Sequence, residues 1–474
     1  MRKIKSIHFV GVKGVGVTPL AIIAKEAGIK VTGSDVGEEF ITDKPLSEVG
    51  IVPFVGFSKE HVGEGIDLVI TTGAHGGYDN VEVKEAKARG IKVLTKGEAV
   101  GAFMDGAILG KTYTGIAIAG SHGKTTTSSM LVTILKELGL DPAYVVGTGS
   151  IGKISLPGHF GRGKYFIAEA DEYATEPQYD KTAQFLWQKP SIALFTNIEL
   201  DHPDIYPSVE SVVEVFKQFV EKTPESGTII GCGDDLHVYK LLGNVKRKTI
   251  SYGFSPKNDY VLSHLHVSGG QIFFRVEAGG MDLGEFRLQV TGEHNALNGL
   301  GACIVALELG LPLEKIKQAL STFTGAKRRL ELRGTLESGA IVFDDYAHHP
   351  TEIQKTLHGL RQRFPKEKIV CIFQPHTFSR TKTLFPEFMR AFSHSDEVII
   401  TDIYASLREA VDPTINSRMF VEELSKHEKQ VEYLPSIADV VEYVKKNRFK
   451  ENTVLVFMGA GDIYKAIDSL SFRT

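Results

Sequence analysis

The first clear pattern along the chain is short and apolar. Residues 4–10 (IKSIHFV) read as a strand that runs into the glycine loop GVKGVG at 11–16. Apolar positions at helical spacing follow over 19–27 and stop at Gly28, and a strand at 30–32 leads into Gly33-Ser34-Asp35. The alternation continues with a strand at 68–72, a helix at 81–89 and a strand at 92–94. Nearly continuous apolar strands alternating with helices predict a parallel sheet covered on both faces. This unit spans residues 1–112.

A second unit, 113–324, opens with a strand at Thr114–Ala119, a loop, and a helix at 125–138 ended by Gly139. Buried-type strands follow at 165–168 and Ile192–Phe195, and the turn-rich span 227–290 predicts added antiparallel strands. A helix over 294–309 ends at Gly310. The third unit, 325–474, repeats the alternation, with strands at 340–343, 369–373, 397–401 and 453–457. Its helices are predicted at 351–363, 383–393 and 435–446. The chain shows neither a fixed-period repeat nor a low-complexity tract.

Composition changes this picture little but excludes much. The 474 residues are 42% hydrophobic and 24% charged with net charge −4, a soluble globular balance with no basic surface for nucleic acid. Three scattered cysteines exclude a disulfide framework and a CxxC zinc site. The N-terminal apolar run is too short for a signal peptide, and no stretch approaches the ~20 apolar residues that span a bilayer. A cytoplasmic protein without membrane association, monomer or homodimer, is expected.

The sharpest chemical signal follows strand Thr114–Ala119: Gly120-Ser121-His122-Gly123-Lys124-Thr125-Thr126-Thr127. A strand feeding a glycine-containing loop and then a helix N-terminus presents backbone N–H groups and a positive helix end to phosphates. Lys124 can reach the terminal phosphates, and Thr125 is placed for a Mg²⁺ ion. The spacing is GxxGKT, a shortened form of GxxxxGK[ST], because Ile118 stands where the longer pattern has glycine. Two acidic clusters, Glu169-Ala-Asp-Glu172 and Glu199-Leu-Asp201-His202, lie where strands end. Strand C-termini are where open α/β sheets bind ligands. Glu169 with Thr125 suits Mg²⁺, and His202 could hold a second metal. The expected fold is α/β with three domains: Rossmann-like, central P-loop ATPase-like with a mixed sheet, and Rossmann-like again.

Five segments together resemble the Mur ligases of peptidoglycan synthesis: GSHGKTTT, EADE, TNIELDH, GEHNALN (292–298) and DDYAHHPTE (344–352). The resemblance covers essentially the whole chain. It implies ATP, with two Mg²⁺ ions, as cofactors, and UDP-N-acetylmuramate and L-alanine as substrates, joined through an acyl phosphate. It implies that Gly120, Ser121, His122, Gly123, Lys124, Thr125 and Thr126 hold the ATP phosphates. Glu169 would bind one Mg²⁺ and His202 the other. His294, Asn295 and Asn298 would hold the adenine end, and Arg328 and Asp344 would close on the nucleotide. Gly14, Val15, Gly16, Asp35, Thr71 and Thr72 would hold the UDP moiety. Tyr346, His348, His376 and Arg380 would face the amino acid and the sugar carboxylate, with His348 a candidate base and Arg380 a carboxylate partner.

Some features depart from that pattern. The first loop is GxxGxG, with Lys13 in place of an expected glycine, and not the dinucleotide GxGxxG. The stretch 173–190 is longer than the pattern expects, and EADEYATEPQYDKTAQF (169–185) with Lys327-Arg328-Arg329-Leu330-Glu331-Leu332-Arg333 is similar to the family's recycling branch, which adds a ready-made tripeptide (L-Ala-γ-D-Glu-diaminopimelate). The segment FQPHTFSRT (373–381) favours a single amino acid acceptor. Lys217 lies where sibling ligases carry a carbamylated lysine, but it reads better as a surface lysine.

Overall fold

The computed structural model describes residues 4–405, 409–427 and 430–473. The first sheet is five-stranded, in the order Phe54–Val55, Lys30–Asp35, Ser6–Val10, Leu68–Thr71, Lys92–Thr95. Every pairing in it is parallel. Strands Ser6–Val10 and Leu68–Thr71 are buried throughout, as strands covered on both faces must be.

The second sheet has ten strands. Its parallel middle runs Tyr260–Ser268, Lys248–Gly253, Thr228–Cys232, Ile192–Phe195, Thr114–Ala119, Tyr165–Ala170, Ala143–Val145. Antiparallel strands extend it at both ends: Gln271–Ala278 and Met281–Leu288 on one side, Gly158–His159 on the other. The antiparallel strands expected over 227–290 are present from Tyr260 to Leu288, but not before. Thr228–Cys232 and Lys248–Gly253 pair in parallel, and reversal starts only after Tyr260–Ser268, where the Gly269-Gly270 turn permits a hairpin.

The third sheet is six-stranded, in the order Glu331–Thr335, Ile341–Asp345, Thr453–Met458, Lys368–Phe373, Glu397–Ile400, Val431–Tyr433. Glu331–Thr335 is antiparallel to its neighbour. The helix expected over 383–393 is instead two short ones, Phe378–Thr383 and Phe385–Phe388. Pro386, at the start of the second, lacks the N–H that a continuous helix would require. The earlier start puts Arg380 in the first turn after the Thr377 cap.

The first two domains share apolar core, since Ile23 and Phe103 cluster with Phe166 and Ala168. Segment 173–190 forms a hairpin, Ala174–Glu176 with Asp180–Ala183, and then a 3₁₀ turn, Gln184–Trp187. That turn packs on helix Lys96–Met104, and a Cβ on Gly101 would come within 2.2 Å of the Trp187 carbonyl oxygen. A glycine is required there for the two backbones to approach.

Candidate functional site

Register assembles the centre of the site. Thr114–Ala119 lies between the two acid-bearing strands, with Ala119 opposite both Ala170 and Phe195. The phosphate loop and both acidic clusters therefore emerge side by side along the C-terminal edge of the parallel strands. The loop needs its glycines: Gly123 has φ +84°, and a Cβ there would meet Asn298 Oδ1 at 2.6 Å.

The side chains pair across this edge. Lys124 Nζ is 2.9 Å from Glu172 Oε2 and also donates to the Ser121 carbonyl. Thr125 Oγ1 is 3.2 Å from Glu169 Oε2, and the Gly147 N–H donates to Glu169 Oε1 at 2.7 Å. Burial raises the Glu169 pKa despite Gly147 and the nearby Arg329, so a cation beside it would be welcome. Glu172, Asp201 and His202 place ligand atoms within 4.8 Å of one another. Glu172 Oε1 is buried without a hydrogen-bond partner among the described residues. Oxygen donors of this kind, with one carboxylate oxygen unsatisfied, fit Mg²⁺.

Beside the loop lies a cleft lined by His122, Thr126, His294, Asn295, Asn298 and Arg329, among others. Burial, with Lys355 nearby, depresses His294 to about 3, so its ring is neutral. Asn295 donates to the Thr291 carbonyl and Asn298 to Asn295. Arg328 and Asp344, expected at the nucleotide, do not line this cleft. They pair with each other at 3.4 Å, 4% and 0% exposed, and Arg328 also donates to the carbonyls of Gly459 and Gly461. The cleft is lined by their neighbours Arg329 and Asp345 instead. Strand alternation turns Asp345 to the opposite face from Asp344. Arg329 donates to Thr125 Oγ1 at 3.0 Å, and burial lifts Asp345 to about 6.

The third domain is clasped to the second. His122 stands 3.3 Å from Glu352 and 3.6 Å from Glu199, and Thr351 donates to Glu199 at 2.6 Å. Burial alone would depress His122, but Glu352 and Glu199 outweigh it and lift it to about 10. Arg380 donates from Nε and Nη2 to the Asp201 carbonyl, and its Nη1 meets His376 Nδ1 at 3.2 Å. Burial, then Arg380, holds His348 at about 4. His348 Nδ1 lies 3.0 Å from the Tyr346 carbonyl, which assigns the proton to Nδ1 and leaves Nε2 a lone pair. The rings of His348 and His376 lie 6.0 Å apart, and Tyr346 packs against both His348 and Arg329.

In the first domain, Gly14, Val15, Gly16 and Thr72 are partly exposed at the loop, whereas Asp35 and Thr71 are buried. Asp35 accepts from the Lys13 N–H at 2.7 Å and so braces the loop from inside. Lys217 is 56% exposed and paired with Glu214.

Residue-type reasoning gave no role to Glu172, Asp201, Glu199, Arg329, Asp345 or Glu352, although all lie within motifs it singled out. Their roles depend on which strand face and which neighbouring domain they meet, and motif spacing carries neither.

Fold and cleft together define a three-domain protein built round a phosphate loop. Three family models match in succession: "Mur ligase family, catalytic domain" over 6–107, "Mur ligase middle domain" over 118–306 and "Mur ligase, glutamate ligase domain" over 328–461. A UDP-N-acetylmuramate–L-alanine ligase of Trichlorobacter lovleyi is 36% identical over 472 residues, covering 99% of each chain. That of Desulfosudis oleivorans is 38% identical over 460 residues, covering 97% of this chain and 96% of its own. Among solved structures, the UDP-N-acetylmuramate–alanine ligase of Thermotoga maritima superposes with TM-score 0.78 at 28% identity, covering 97% of both chains. A murein peptide ligase of Psychrobacter arcticus gives TM-score 0.73 at 23% identity over 99% of both chains, a likeness of fold. The chain belongs to the Mur ligase family.

Proposed function

We propose that the protein joins L-alanine to the carboxylate of UDP-N-acetylmuramate, consuming ATP, in peptidoglycan precursor synthesis in the cytoplasm. A carboxylate is a poor electrophile, so the γ-phosphoryl group is first moved onto it and ADP departs. The amine nitrogen then attacks the acyl carbon, and phosphate leaves. Phosphoryl transfer needs positioning and charge neutralisation above all. Lys124 supplies a fixed cation at the loop, and the backbone N–H groups of 120–125 orient the phosphates. Thr125 and Glu169 could hold one Mg²⁺, and Glu172, Asp201 and His202 a second, which when bound would supply charge neutralisation at the phosphates. His348, neutral with Nε2 free of its own proton, is suited to receive the amine proton. His376, with Arg380 held against it by Asp201, would present a donor to the amino-acid carboxylate.

What carries the reading is that Lys124 of the loop and His348 and Arg380 of the third domain all meet the Glu172–Asp201–His202 cluster. Full-length relatives that bear the L-alanine ligase name support it. The test is phosphate release with ATP, Mg²⁺ and UDP-N-acetylmuramate against L-alanine, glycine, L-serine and the L-Ala-γ-D-Glu-diaminopimelate tripeptide. L-alanine is expected to give the highest kcat/KM. Release with the tripeptide alone would transfer the protein to the recycling reaction, and no release with any acceptor would remove the ligase reading.

A further inference from the structure

Lys96 has no part in the chemistry described so far. It opens helix Lys96–Met104 of the first domain, directly behind the Thr95 cap. Its Nζ reaches across to the second domain and stands 2.9 Å from Asp171 Oδ2. The two side chains are 21% and 31% exposed, so the pair is partly open to solvent where the first and second domains meet.

Two neighbours fix what this ammonium overlooks. On one side lies the first-domain glycine loop: a Cβ on Gly16 would stand 2.8 Å from Lys96 Cδ and 3.2 Å from its Nζ. The absence of a side chain at 16 is what lets the lysine lie on the loop backbone. On the other side, Asp171 sits between Glu169, bonded to Thr125, and Glu172, paired with Lys124. Lys96 therefore links the loop at 11–16 to the acidic segment 169–172, whose Glu169 and Glu172 face Thr125 and Lys124.

The reaction must bring a carboxylate against a triphosphate, two anions that repel. A lysine ammonium is a compact charge on a flexible stem, able to pass from one anion to another without rebuilding the site. We propose that Lys96 binds the carboxylate of the sugar-nucleotide substrate, leaving Asp171 for it as the substrate enters, and holds it facing the phosphate loop. This rests on the reading above that the carboxylate is the group phosphorylated.

Calorimetric binding and initial rates for the wild type, Lys96→Met and Lys96→Arg test it, using UDP-N-acetylmuramate and UDP-N-acetylglucosamine. The second ligand has the diphosphate and lacks the carboxylate. Lys96→Met is expected to weaken UDP-N-acetylmuramate by roughly 10- to 100-fold, the usual effect of losing a hydrogen bond to a charged group. Binding of UDP-N-acetylglucosamine and the KM for ATP should not change, and Lys96→Arg should recover most of the loss. Unchanged UDP-N-acetylmuramate affinity overturns the assignment. Equal losses for both ligands would put the ammonium on the diphosphate instead. A lowered melting temperature with weaker ATP binding would reduce the Asp171 pair to a structural tie. Wild-type protein that binds UDP-N-acetylmuramate but releases no phosphate would sink the functional reading alone, because the binding comparison still decides the role of Lys96.

Discussion

Arg380 and Asp201 form a buried clasp between the third and second domains: two guanidinium nitrogens donate to the Asp201 carbonyl, at 3.0 and 2.8 Å, and Nη2 stands 3.1 Å from its carboxylate. The same aspartate belongs to the Glu172–Asp201–His202 cluster, so one contact ties the third domain to that cluster. Arg380→Ala should cut kcat/KM for L-alanine by at least ~100-fold, as expected when a buried charge-pair partner is removed. Arg380→Lys should not restore it, because an ammonium cannot span carbonyl and carboxylate as the planar fork does. Steady-state kinetics with varied L-alanine decide the matter, and wild-type values for either variant would contradict the clasp.

Lys124 and Glu172 separate catalysis from stability. Glu172 is 1% exposed, so Lys124→Met strands a buried carboxylate, at roughly 3–5 kcal/mol for a broken buried pair. Adding Glu172→Gln should return most of the lost melting temperature while phosphate release stays abolished. Recovery of turnover in the double variant would contradict the role of Lys124 at the phosphates.

Adjacent arginines should behave oppositely. Arg328→Ala leaves Asp344, 0% exposed, without its main partner and should unfold at clearly lower temperature. Arg329→Ala, whose guanidinium faces Thr125 and the cleft, should retain stability and raise the KM for ATP. Thermal melts paired with ATP titrations distinguish them, and reversed phenotypes would refute the assignment.

His122 makes stability depend on pH. Its folded value near 10 exceeds the usual 6.5, so the folded state keeps a proton that the unfolded chain has lost. That contribution is complete below 6.5 and fades as pH rises toward 10. His348 and His349, both held at about 4 by burial, act in the other direction, and stability falls as pH drops from 6.5 toward 4. Melting temperature should therefore decline between pH 6.5 and 8.5, and His122→Asn should flatten that decline. A wild-type profile level over this interval would rule out the charged His122.

Much of the site was readable from residue order. The alternation of apolar strands and helices is set by local periodicity, so strands such as Thr114–Ala119 and Ile192–Phe195 were placed to the residue. The phosphate loop is contiguous in sequence, because its backbone donors, helix N-terminus, Lys124 and Thr125 all lie within a few residues. Its chemistry could be stated before any fold was known.

Other features depend on what meets what in space. That Arg329 faces Thr125 and the cleft while Arg328 is buried with Asp344 follows from backbone direction and sheet pairing, which residue types do not encode. The meeting of Lys96 with Asp171, 75 residues apart, needed the packing of helix Lys96–Met104 on the turn at Gln184–Trp187. Sequence alone determined the three α/β units and a phosphate loop, since local hydrophobic period and loop chemistry are short-range properties. Tertiary structure decided which carboxylate answers which cation, because charges separated along the chain pair only where domain packing brings them within a few ångströms and removes the water between them.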